Sequence, residues 1–124
     1  MTTSTQFLNS ITQNVGISPV TVLSTISTAR YTVIGLNLSN TTSNLIQVNI
    51  QLVVYNPNVD GTSNLTSINS QASILKNVMI APQSSLKVIT NSEKLILAGN
   101  NSIIISANAN NCVDAIVSYV SIIG

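Results

Sequence analysis

The chain has 124 residues, enough for one domain with one core, and 44% of them are hydrophobic, too many for a disordered chain. Charged residues make up only 6%, against about 25% in ordinary soluble domains, and the net charge is +1. The four cations, Arg30, Lys76, Lys87 and Lys94, are scattered, which argues against nucleic-acid binding and against anionic membrane surfaces.

Residues 1–18, MTTSTQFLNSITQNVGIS, are polar with sparse hydrophobes at Phe7, Leu8, Ile11 and Val15. They read as an N-terminal arm or an edge strand, followed by a single β-sandwich domain over residues 19–124. The start lacks the cationic and apolar regions of a signal peptide. Residues 19–27, PVTVLSTIS, are β-branched and read as a strand. In YTVIGLNLS, residues 31–39, alternation places Ile34, Leu36 and Leu38 inward and Gly35 and Asn37 on the opposite face. The turn-like SNTTSN, residues 39–44, then predicts a hairpin to LIQVNIQLVVY, residues 45–55. That strand alternates strictly, with Ile46, Val48, Ile50, Leu52 and Val54 on one face and Gln47, Asn49 and Gln51 on the other.

Residues 56–71 form the longest polar stretch and read as an exposed loop containing Asp60-Gly61. Short strands follow at close spacing: residues 73–81, 86–90, 94–97 and 102–106. The last run, residues 112–123, is apolar on both faces, as in a central or covered strand. About eight strands with regular turn signals predict an all-β, antiparallel β-sandwich of jelly-roll type with an aliphatic core.

Chemistry is sparse. There is no histidine, which removes the commonest general base and metal ligand. The acids are Asp60, Glu93 and Asp114. Asp60 reads as a turn residue bonded to its own backbone, Glu93 as part of a solvated connection, and Asp114 as lying near the start of the last strand. Two of them at about 5–9.5 Å could in principle hydrolyse glycosides. The single Cys112 reads as a small buried hydrophobe and forms no intrachain disulfide. The glycines are dispersed and build no phosphate loop. We therefore expect no enzyme and no catalytic, cofactor-binding or metal residues. A charge this close to zero gives little repulsion between copies, so assembly is expected.

Several segments carry a family likeness. TARYTVIGLNLSNTTSNLIQVNIQLV, residues 28–53, resembles the opening of small β-sandwich virion proteins of tailed bacteriophages, above all phages of marine bacteria. ASILKNVMIAPQSSLKVI, residues 72–89, is similar to their strand, P-x-x-S/G turn and strand. EKLILAGNNSIIISANANNCVDAIVSYVSI, residues 93–122, resembles their ending, with Asn100 and Asn101 where the family has an acid after Ala-Gly. The likeness spans roughly residues 20–123. It implies a structural particle component, located in the virion and assembled in the host cytoplasm. The implied partners are the major capsid protein or other virion proteins, and copies of itself as a trimer or ring. Capsid decoration or cementing is the leading role, with neck, tail or fibre attachment as the alternative. A carbohydrate-binding module is the other reading, resting on the amide-rich loop and on Tyr31, Tyr55 and Tyr119 as its only aromatic candidates.

Overall fold

The computed structural model describes residues 4–56, 68–90 and 94–123. They form nine strands and no helix: β1 (Ser4–Val15), β2 (Val20–Ser24), β3 (Ala29–Asn40), β4 (Ile46–Asn56), β5 (Ile68–Ile80), β6 (Ser85–Ile89), β7 (Leu95–Leu97), β8 (Asn101–Ala107) and β9 (Val113–Ile123). Two antiparallel sheets face each other. One has the order β1-β9-β3-β6, with β7 also paired to β3, and is called sheet A; the other, sheet B, has the order β2-β8-β4-β5.

The strand order has a simple logic. β6 pairs with Leu36–Ser39 and β7 with Tyr31–Val33, so the two form one interrupted edge strand alongside β3. Counted as one, they make eight strands in which first pairs with last, second with second-last, and so inward to β4 with β5. This is a jelly roll, one long hairpin wound into two sheets.

The winding corrects the expected hairpin between residues 31–39 and 45–55. β3 lies in sheet A and β4 in sheet B, so the chain crosses between layers there. Buried Asn40 builds the crossing. Its side-chain nitrogen reaches the carbonyls of Asn44, Ile80 and Ala81 at 2.7, 3.1 and 3.1 Å. Its side-chain oxygen accepts from the Thr42 backbone N–H at 2.9 Å and from the Thr42 hydroxyl at 2.8 Å. One amide therefore ties the β3–β4 and β5–β6 connections together and satisfies backbone groups that a layer crossing would otherwise strand.

A second correction concerns which side of β3 faces inward. Val33 is fully buried and Ile34 is not, whereas Leu36 and Leu38 face the core as expected. The β3–β9 register shifts between Val33 and Gly35, and this bulge changes the alternation by one residue. The expected strand at residues 45–55 holds: Ile46, Val48 and Ile50 are buried, and Leu52 packs against the core. Ile103 and Ile105 of β8 meet Leu36, Leu38, Val113 and Val117 in the same cluster. Each such side chain contributes roughly 1.5–3 kcal/mol by leaving water.

Of the two forms expected for residues 1–18, residues 4–15 take the edge strand, paired along β9 from Ser4 opposite Ile123 to Val15 opposite Val113. The Ser10 hydroxyl donates to the Val22 carbonyl at 3.1 Å and links this edge to sheet B. The polar stretch 56–71 is shorter as a connection than expected: Asn56 already pairs with Ile68, and Ile68–Gln71 belong to β5. Residues 57–67 lie outside the described residues.

Candidate functional site

Of the three candidate acids, Asp114 is the one among the described residues. Asp60 and Glu93 lie outside the described residues. Asp114 stands on the solvent side of β9 and accepts the Asn14 backbone N–H at 3.0 Å. Among the described residues no three His, Cys, Asp or Glu side chains group as a metal site. Cys112 is buried, with its sulfur 3.2 Å from the Ala109 carbonyl oxygen, and burial pushes its thiol pKa up. That disfavours the thiolate a nucleophile would need.

Two of the three aromatic candidates are also spoken for. Tyr31 and Tyr119 stack with ring centroids 4.7 Å apart and pack against the core. Burial, then the neighbouring Tyr31, raises the Tyr119 pKa. The Tyr55 side chain lies outside the described residues. What remains are surfaces, and the two outer sheet faces differ in kind.

The outer face of sheet B is built of amides and hydroxyls. One row across it reads Thr21, Ile104, Gln51 and Ser73. Asn49 pairs with Ser106 and its side-chain oxygen accepts the Asn77 N–H at 2.9 Å. Gln51, Ser73, Lys76 and Asn77 help line a groove of about 360 Å³ on this face. Asn77 has a φ of 55°, so the bend that shapes the groove uses a residue tolerant of the left-handed region.

The outer face of sheet A carries large apolar side chains among its polar ones. Register places Phe7, Val120, Thr32 and Ile96 in one row across four strands. Ile11, Ile116, Asn37 and Lys87 form another. Phe7 is 78% exposed, Ile11 66%, Ile96 65% and Ile116 41%. Between these rows Gly35 and Ser118 leave a dent of about 280 Å³, bordered by Asn37 and Lys87. The Asn37 side-chain oxygen is buried there with no hydrogen-bond partner. Large apolar side chains gathered on one solvent face mark an interaction surface more often than chance exposure.

This face was only partly visible in the sequence. Phe7, Asn9 and Ile11 alternate, a period-2 signal inside a segment read as polar. Ile96 could not be assigned to it, because β7 joins the face only through its pairing with β3.

No protein-family model and no curated protein sequence matches the chain. Among solved structures it is similar to a chain of Bacillus endospore appendages, a family of disulfide-linked pili, at 10% identity and a TM-score of 0.46, over 98% of this chain and 88% of that one. It is also similar to chains of infectious bursal disease virus, both at 13% identity. For the Gt strain the TM-score is 0.23, over 98% of this chain and 37% of the viral one. For the VP2 subviral particle it is 0.24, over 97% and 40%.

Proposed function

We propose that the chain is a non-enzymatic structural protein of a tailed-phage virion, a decoration or cement protein that binds the capsid surface. The observation that carries the reading is the contrast between its two outer faces. One presents Phe7, Ile11, Ile96 and Ile116 to solvent, and the other presents amides and hydroxyls. A small domain with a sealed aliphatic core and one apolar outer face is built for assembly, with that face covered by a second copy or by another particle protein. The strand-and-turn resemblance over residues 20–123 supplies the phage context. Neck, tail or fibre attachment is the neighbouring form of the same reading. The test compares particles assembled with and without the protein on heating. A cementing role predicts earlier loss of packaged DNA without it, and equal stability would count against cementing.

A carbohydrate-binding role has one observation in its favour, the amide-lined groove beside Lys76 on sheet B. Asn and Gln side chains offer paired donors and acceptors for sugar hydroxyls. Against it, Tyr31 and Tyr119 are committed to each other and to the core rather than to a sugar platform. Binding on a glycan array that is abolished by Gln51→Ala would support this role, and an array without hits would end it.

A further inference from the structure

We propose that the outer face of sheet A is the contact between two copies of this chain, packed face to face about a two-fold axis that runs across the strands. This does not rest on the virion reading, since the evidence is the pattern of the face itself.

The size suits a stable pair. The face is four strands wide and about eleven residues long, which at about 4.8 Å between strands and about 3.3 Å per residue gives roughly 700 Å². A standard protein interface takes about 800 Å² from each partner. Sheets stacked this way sit about 10 Å apart, a distance that side chains the size of Phe7 and Ile116 fill.

The pattern is self-complementary in one orientation. A two-fold axis across the strands lays each strand over its own copy and reverses the order of the rows. The Phe7 row then lies over the partner's Ile11 row. Phe7 meets the partner's Ile11, and Val120 meets the partner's Ile116, each contact occurring twice. On β3 Thr32 comes over the partner's Asn37. The row between them contains Gly35 and Ser118, which pair across β3 and β9 and are small enough for the two faces to approach at the axis.

Charge points the same way. Arg30 stands opposite Ile122 at one end of the face, and Asp114 stands opposite Ser39 at the other. Reversing the rows brings Arg30 of each copy toward the partner's Asp114. The other two-fold orientation, with its axis along the strands, places Arg30 at the same end as the partner's Arg30 and gains no such pairing. Reversing the rows also lays Ile96 over the partner's Lys87, an exposed residue of the edge strand whose long side chain lets its ammonium stay in water beside the contact. Among the described residues no strand pairs with the outer edges of β2 and β5, so a pair leaves room for larger assemblies.

Sedimentation of the full chain over a concentration series tests the contact. Wild type should sediment as a dimer. Phe7→Asp and Ile116→Asp, both at exposed positions, should keep the strand circular dichroism and weaken dimerisation about thirtyfold or more, as loss of an interface hot spot does. Gln51→Asp, on the outer face of sheet B, should leave the dimer intact. Orientation is read by treating a mixture of Thr32→Cys and Asn37→Cys chains with a short bismaleimide, because stacked sheets hold facing Cα atoms too far apart for a direct disulfide. Cross-linked dimers should form in the mixture and not with either variant alone. A monomer at every concentration, a Gln51→Asp loss equal to that of Phe7→Asp, or efficient linking of Thr32→Cys chains alone would overturn the proposal.

Discussion

Cys112 sits where the turn after β8 enters β9. Its backbone N–H donates to the Val15 carbonyl at 3.0 Å, and its own carbonyl accepts from the Thr41 N–H at 3.0 Å. It therefore fastens three segments, and its buried sulfur adds packing rather than reactivity. Burial raises this thiol above its ordinary 9.0, and raises the Tyr119 phenol above its ordinary 10.0. The sign follows from proton counting: the folded chain holds protons that the unfolded chain has already released. Stability is then fully present below pH 9 and declines as pH rises through and beyond that value. The urea midpoint should be lower at pH 10 than at pH 8, and a midpoint that rises over that interval would contradict the assignment. The sequence indicated Cys112 as a buried small residue, since nothing near it in the chain would activate it. The Tyr31–Tyr119 stack was not visible, because it depends on two strands far apart in the sequence, β3 and β9, meeting side by side.

At the scale of elements, the stretch AGNNSIIISANANNC shows what local pattern can and cannot reveal. Asn100 and Asn111 take φ values of 61° and 50°, as turn asparagines should. Gly99 is required outright, because a Cβ there would lie 2.6 Å from the Ser27 carbonyl oxygen. Asn101, one of the two residues standing where the resembling proteins carry an acid, is buried. Its backbone N–H donates to the Thr25 hydroxyl at 2.9 Å. β8 is central in sheet B, between β2 and β4, which protects its uncharged isoleucines from edge pairing. Ile103 and Ile105 are fully buried, while Ile104 points to the outer face. Ile103→Ala and Ile105→Ala should each cost about 2–5 kcal/mol in urea denaturation, and Ile104→Ala distinctly less. Equal losses at all three would mean that β8 is not packed as described. Alternation was legible here and in β4 because both strands run unbroken through their buried stretch. It misled at Ile34, where the bulge before Gly35 shifts the phase, and neither residue announces that shift. The β3–β4 crossing was equally hidden: a polar turn reads the same whether its strands share a sheet or face each other across the core.

For the whole molecule, the proposed function rests on the difference between its faces. The all-β class, the near-eightfold strand count and the aliphatic core could be read from composition and periodicity. The apolar outer face could not, because it gathers Phe7, Ile116 and Ile96 from β1, β9 and β7, strands brought side by side only by the roll. A chain with so few charges has little to keep such a face apart from other surfaces, and covering it lowers the free energy of any assembly that does so. The most direct measurement is release of packaged DNA against temperature, for particles with the protein, without it, and with the wild-type protein added back. A cement protein predicts release at a lower temperature from the particles lacking it, restored by addition of wild type. Coincident release curves for all three would contradict the cementing role.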